Sequence, residues 1–332
     1  MPASLSPRTL VLLTVAFIAA IFVFAGIYTG TQHNPMPHQL RVGVVGGDLV
    51  ATLINTGVES KAPGEFKLYT YPNQASLRQA IKDRKVYGGY VYEKNAGLMI
   101  TASAAGKAAN TALTLLGEQV AAIFKVPLQT QDLVPLPESD SQGLSSYTYQ
   151  YGLLVPSFVF AVLIFMFGYG LSLVWRLGLI GAYSLGAGIV GALTVDQIVG
   201  ALPHHYFALA ALGALYAATA VLVTYGLARV LSYAGLALAG LLLILVGNSV
   251  SGGSINQEFL PGFFRDIGQA LPNGAFIRSV RNTVYFDGAN THRAMFVVAL
   301  WAVGGLVLAL VAEALPGLRS RRKKVTAPEP TA

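Results

Sequence analysis

Apolar residues in this chain fall into long runs with very unequal spacing. One run occupies Leu10–Tyr28, a polar stretch of roughly 120 residues follows, and about five further runs lie between Tyr151 and Pro316. A membrane-crossing helix needs about 20 predominantly apolar residues. Six segments come near that: Leu10–Tyr28, Gly152–Trp175, Leu177–Leu193, Tyr206–Leu227, Leu231–Val246 and Ala294–Leu315. Gly, Ser and Asn blur the ends of the third and fifth. The pattern predicts an α-helical polytopic membrane protein of about six transmembrane helices, with an extracytoplasmic α/β domain inserted between the first and second. The expected divisions are 1–32 (tail and first helix), 33–125 (α/β domain), 126–150 (linker), 151–249 (helices two to five), 250–293 (an outer interfacial amphipathic hairpin), 294–318 (sixth helix) and 319–332 (basic cytosolic tail).

Inside the polar stretch the period changes. Arg41–Val45 is a short apolar run closed by Gly46-Gly47 and reads as a strand. Asp48 is placed to cap a helix with Leu49/Leu53 and Val50/Ile54 at i,i+4 spacing. Phe66–Tyr71 alternates as a half-buried strand does. Asn73 is placed to cap a helix burying Leu77, Ala80 and Ile81, with Arg78, Lys82 and Arg84 toward water. Tyr87–Tyr92 and Leu98–Thr101 read as strands joined by a turn, and a last helix from near Ala108 carries a stripe of Leu113, Leu116, Val120 and Phe124. The expected order is β-α-β-α-β-β-α. Val126–Ser146, with three prolines, reads as the linker.

Between the last two runs, Leu260, Phe263, Phe264, Ile267 and Leu271 form one amphipathic stripe, with Arg265, Asp266 and Gln269 off it. After Leu271-Pro272-Asn273-Gly274 a second helix sets Phe276, Ile277, Val280 and Val284 against Arg278, Arg281, Asn282 and Tyr285. Two readings stand: a cap packed on the bundle, or a gate at the outer interface. Arg265, Arg278, Arg281 and Asn282 are the candidate gate or substrate-contacting residues.

Charge adds topology to this picture. Only 11% of residues are charged, against about 25% in soluble domains. The formal net charge is +7. Arg8, Arg176, Arg229 and the group Arg319, Arg321, Arg322, Lys323 and Lys324 all fall on one side if six spans exist, which places both termini in the cytoplasm. The excess is thus assigned to topology, with no nucleic-acid partner. The first run reads as a retained anchor, because it exceeds the 7–15 residues usual in the core of a signal peptide. The chain has no cysteine, which excludes thiolate metal sites and cysteine nucleophiles.

Chemistry is sparse. No phosphate-binding Gly-x4-Gly-Lys-Ser/Thr loop exists. Gly247–Gly252 resembles a hydrolase elbow only loosely and has no histidine base in any run. Gly181, Gly186, Gly188 and Gly191 read as close helix packing. His204-His205 with Asp196 is a solvated loop rather than a metal site. Glu313 is expected to snorkel to the cytosolic interface, and Asn248 to bond across helices; these two are the candidate intramembrane polar residues. Neither an enzyme activity nor a cofactor is expected.

Three stretches, LRVGVVGGDLV (Leu40–Val50), the segment Leu77–Asn110 and LPGFFRDIGQALPNGAFIRSVRNTVYFDG (Leu260–Gly288), taken in this order with the run pattern, resemble the ABC-2 type membrane permeases, in their YhgE/Pip-like branch. The resemblance implies a homodimer that exports a lipid-like or amphiphilic compound, with any ATPase on a separate chain. The expected loops on the cytosolic side are only Trp175–Leu177 and Ala228–Val230, little surface for an ATPase. The alternative is a non-transporting envelope receptor or assembly scaffold that acts through its α/β domain on an envelope protein.

Overall fold

A computed structural model describes residues 6–33, 35–93 and 95–314. The expected end of the sixth span at Leu315 and the basic tail at 319–332 lie outside the described residues. The chain opens with α1 (Pro7–Gln32) and then builds one sheet. Strand β1 (Leu40–Val45) leads through Gly47, at φ 83, into α2 (Asp48–Lys61). Then follow β2 (Phe66–Thr70), α3 (Gln74–Lys82), β3 (Gly88–Glu93), β4 (Ala96–Thr101), α4 (Lys107–Phe124) and β5 (Leu128–Asp132). The strand order is β2-β1-β3-β4-β5, all neighbours parallel except the β3–β4 hairpin.

Local rules account for most of this unit. The Asn73 side chain accepts from the Ser76 amide at 2.9 Å, an N-cap that fixes where α3 begins. Asp48 makes no cap hydrogen bond; Gly47 is the N-cap and Asp48 stands in the first turn, where the helix dipole favours it. Successive strand residues face opposite sides, and the sheet uses this at Gly88 and Gly89. A Cβ at Gly89 would collide with Leu77 of α3, and one at Gly88 with Leu113 of α4. Helices α3 and α4 therefore press on opposite faces. Leu77, Ile81, Ile54, Leu113, Met99 and Ile100 form the dry core between them. The expected linker is a correction: its Leu128–Asp132 portion is β5, paired in parallel with β4 from Gly97↔Leu128 to Thr101↔Asp132.

The helical part comprises α5 (Ser145–Phe167), α6 (Leu173–Ala192), α7 (Tyr206–Leu231), α8 (Tyr233–Ala239), α9 (Gly247–Ser249), α10 (Gly262–Ala270), α11 (Pro272–Tyr285) and α12 (Thr291–Ala314). Among the described residues four helical segments are long and apolar enough to cross a membrane: Ser145–Gly170, Leu173–Ile198, Tyr206–Leu231 and Thr291–Ala314. Ile18–Gln32 and Tyr233–Ser249 are shorter apolar helices. Side chains on the outside of the bundle are themselves apolar, Phe296 being 69% and Leu300 58% exposed. A helix apolar all round is buried in lipid or protein, so this exterior fits a helical membrane protein.

Several boundaries differ from expectation. The turn between the second and third runs is at 168–172, and Arg176 lies within α6 rather than in a loop. Arg229 likewise lies within α7, which runs to Leu231 before Ser232 turns at φ 58. The fifth run is broken: α8 widens into a π-helical stretch at Gly240–Val246 before α9. A π-turn adds a residue to the helical circuit and leaves backbone carbonyls free for other partners. The Leu243 carbonyl accepts from the Asn273 side chain at 2.9 Å.

Helix α7 is central and packs on α5, α6, α11 and α12. Its crossing with α12 depends on glycine. A Cβ at Gly305 would sit 2.5 Å from the Leu222 carbonyl carbon and the Val223 nitrogen, whereas a Cβ at the adjacent Gly304 meets nothing within 4 Å. Gly305→Val is expected to destabilise the folded protein by about 2 kcal/mol through overpacking. Gly304→Val should leave stability unchanged. Thermal melting of the two purified variants in one detergent checks the pair; equal midpoints would refute the close crossing.

Candidate functional site

The α/β unit and the helices meet along the irregular segment 250–261 and the α10–α11 pair. Asn256 donates to the Ala105 carbonyl at 2.8 Å, and the His38 amide donates to the Glu258 carbonyl at 2.7 Å. Asn290 donates to the Asp83 carbonyl at 2.7 Å, and Phe259 and Phe286 are buried in the core of the α/β unit. These contacts fix one structure on the other and leave a cleft between them of about 600 Å3.

The cleft is basic. Six cationic residues line it (Arg41, Lys67, Arg84, Arg265, Arg278 and Arg293) against two carboxylates, Glu258 and Asp266. Arg278 on α11 donates to the Gln257 side chain at 2.7 Å and the Gln269 carbonyl at 3.3 Å. Arg265 on α10 donates to the His38 carbonyl at 3.2 Å and lies 3.5 Å from Asp266. Arg84 lies 4.5 Å from the ring centre of Phe286 and 5.4 Å from that of Tyr87, an arrangement that holds a cation by ring quadrupoles. Burial lowers the affinity of Arg84 and Arg278 for their protons. Burial, then Glu258, pushes the Tyr87 hydroxyl well above its usual range. Tyr87 and Glu258 oppose this at both arginines, while Arg84 adds like-charge repulsion at Arg278 and Arg41 does so at Arg84. The site thus gathers positive charge faster than the protein neutralises it. Asn282 completes the wall, and its side-chain amide oxygen is buried without a partner among the described residues.

Backbone strain collects here too. Gln39, Arg84 and Asn290, all in the cleft wall, take φ of 53, 61 and 58. Arg84 is the left-handed residue that follows α3, a position helices usually give to glycine. A non-glycine residue there carries strain of about 1 kcal/mol.

The expected gate residues divide. Arg265, Arg278 and Asn282 line the cleft. Arg281 does not: its guanidinium is buried and donates to the Gly252, Gly253 and Gly143 carbonyls and the Ser146 hydroxyl at 2.8–3.1 Å. Tyr285 donates to Asp140 at 2.6 Å. The polar side of α11 therefore faces protein and not an interface, because almost all of Pro272–Asn282 is buried. Sequence reasoning missed Arg41, Lys67, Arg84 and Arg293, which come from β1, β2, the end of α3 and α12. Their one sequence signal was charge on strands and helix ends otherwise poor in it.

The intramembrane candidates also have protein partners. Glu313 does not extend toward solvent alone; it accepts from Arg176 at 2.8 Å and from Arg229, joining α6, α7 and α12. Arg176 also donates to the Tyr225 hydroxyl at 2.7 Å. Asn248 donates to the Tyr28 and Tyr147 hydroxyls at 3.0 and 2.9 Å, tying α1 and α5 to α9. Asp196 accepts the His204 and His205 amides at 3.0 Å, so it organises that turn through the backbone.

No protein-family model, no curated protein and no solved structure matches the chain.

Arg281→Ala would remove the donor from three buried acceptors and from the half-buried Gly143 carbonyl. It is expected to destabilise the protein by about 3 kcal/mol or more. Arg278→Gln, at the half-buried cleft wall, gives up the bond to Gln257 and should cost less, about 1 kcal/mol. Recovery of folded protein by size-exclusion chromatography and thermal melting separates the two. A stable Arg281→Ala variant would show that the guanidinium is not the clamp described.

Proposed function

We propose that the chain is an integral membrane transport protein that takes an amphiphilic compound at the junction of its helices and its α/β domain, and moves it outward. The observation that carries this reading is the cleft: a polar chamber that touches the start of an apolar helix, at Ala294 and Val297 of α12. A ligand with a polar end and an apolar end fits that boundary. The broken helix at Gly240–Ser249 and the buried irregular segment after it add support, because non-helical backbone beside membrane helices is tolerated where it is enclosed by protein or lines a cavity. Arrangement as six spans with cytoplasmic termini, an extracytoplasmic α/β domain and a homodimer belongs to the same proposal. Kinship with ABC-2 permeases rests on the motifs Leu40–Val50, Leu77–Asn110 and Leu260–Gly288, and an ATPase, where one is used, would be a separate chain. The placement in the cell membrane follows from that kinship and from the apolar helices.

The test is reconstitution into liposomes with a fluorescent lipid analogue in both leaflets and a membrane-impermeant quencher. The protein should raise the fraction of analogue that reaches the quencher, and Arg84→Gln with Arg278→Gln should lower the rate about tenfold or more. Liposomes that behave as protein-free ones, with and without ATP and co-purified partners, would reject transport.

A second reading has its own observation. Leu49 and Leu53 on α2 and Leu115 and Ile123 on α4 are 44–73% exposed on the α/β unit, where a solvent-facing helix would carry polar groups. A receptor or scaffold would cover them with an envelope protein. Leu49→Glu with Leu53→Glu would then abolish co-purification of that partner and leave lipid movement intact.

A further inference from the structure

We infer that the basic cleft receives the phosphate-bearing head group of an anionic amphiphile, with Arg84, Arg278 and Arg293 contacting the phosphate and the exposed face of α12 carrying the tail. This rests on the amphiphile reading above and names the chemical class.

Four independent features converge on it. The first is uncompensated charge. Of the cleft cations only Arg265 forms an ion pair among the described residues, 3.5 Å from Asp266. Guanidinium groups remain charged at neutral pH, and Arg84 and Arg278 are half-buried while Arg293 is exposed, so the cations are partly desolvated yet open to a ligand. Glu258 and Asp266 leave the six cations in excess; an arriving phosphate would balance that excess, and the planar guanidinium fork matches its oxygens pairwise.

The second is the backbone at Arg84. Glycine would be relaxed at φ 61, yet arginine stands there and directs its guanidinium over Phe286 and Tyr87. Strain of this kind marks sites where position outweighs stability. The third is size. At about 600 Å3 the cleft is of the order that encloses small organic ligands, and inorganic phosphate would occupy a small part of it. The fourth is its floor. Ala294 and Val297 belong to the first turns of α12, and Leu300, Val303, Val307 and Leu310 follow Val297 at i+3 and i+4 spacing as exposed apolar side chains. A head group in the cleft therefore leaves its acyl chain beside an apolar lane. A soluble phosphate metabolite would have no use for that lane.

The experiment uses the full chain in nanodiscs of phosphatidylcholine with a minor fraction of phosphatidic acid, read by native mass spectrometry of the lipids that remain bound. Phosphatidic acid should be retained about tenfold or more over phosphatidylcholine, the discrimination one charge-assisted contact supplies. Diacylglycerol, which keeps the tail and lacks the phosphate, should not be retained. Arg84→Gly and Arg278→Gln should each remove the preference. Arg84→Gly should melt at or above the parent temperature, since it relieves the left-handed backbone, which separates lost recognition from lost folding. Lys82→Gln, an exposed change outside the cleft, should leave the preference intact. Equal retention of the two phospholipids, or a preference that survives Arg84→Gly with Arg278→Gln, would overturn the inference. Inorganic phosphate that competes as well as phosphatidic acid would overturn the lipid assignment in favour of a free anion. Retention without lipid movement in liposomes would count against transport and leave this site standing; lipid movement without head-group preference would do the reverse.

Discussion

One buried guanidinium holds together parts of the chain that no regular structure joins. Arg281 reaches from α11 to the carbonyls of Gly143, Gly252 and Gly253 and to the Ser146 hydroxyl. Those acceptors belong to the strand-to-helix passage into α5 and to the irregular segment after α9. Neither piece has backbone ladders to satisfy its carbonyls, and unpaired carbonyls shut away from water are costly. An arginine carries five donors in a fixed fork, enough to serve several carbonyls at once where lysine would serve fewer with less direction. With the segment fixed, Asn256 reaches Ala105, the Glu258 carbonyl receives the His38 amide, and Gln257 orients Arg278. The cleft exists because these elements are locked around it.

How much of this was legible in the sequence follows from the distance over which each cause acts. The α3 cap at Asn73, the apolar stripe of α4 and the four apolar strands depend on residues within a few positions of one another, and periodicity reports them. Strand β5 reads LQTQD and has no such signature. It is an edge strand exposed on most of its side chains, so its conformation comes from pairing with β4 rather than from its own pattern. The water-facing position expected for Arg84 assumes that α3 continues; the helix ends at Lys82, the chain turns left-handed, and the side chain swings onto Phe286, which is distant in sequence.

Arg278 and Arg281 show the same limit on a single helix. Three positions apart, they share one side of α11, and periodicity can say no more than that. What separates them is the neighbour each meets: Gln257 and Gln269 at the cleft for one, the glycine carbonyls of a buried loop for the other. A polar face that the gate reading sets against head groups is in large part a face made for protein, as the cap reading has it. The partners of Glu313 were illegible for a related reason, because its two arginines come from helices 137 and 84 residues earlier in the chain.

Helix α12 connects the two charged ends of the molecule. Arg293 in its first turn lines the cleft, and Glu313 in its last turn joins Arg176 and Arg229. Twenty residues of α-helix rise about 30 Å, which is the thickness of a bilayer hydrocarbon core. Charge is therefore kept to the two ends of the stretch that lipid would surround, where its placement is least costly. The ends are unlike. At Glu313 one carboxylate serves two arginines and binds three helices by direct ion pairs, so α6, α7 and α12 are restrained there. At the cleft, among the described residues, no ion pair crosses from α12 to the α/β unit; hydrogen bonds, buried phenylalanines and an excess of cations define the gap. The same helix is thus pinned by opposite charges at one end and borders a cleft with more cations than carboxylates at the other, and of the two ends the second has the space and the charge balance that suit an anion.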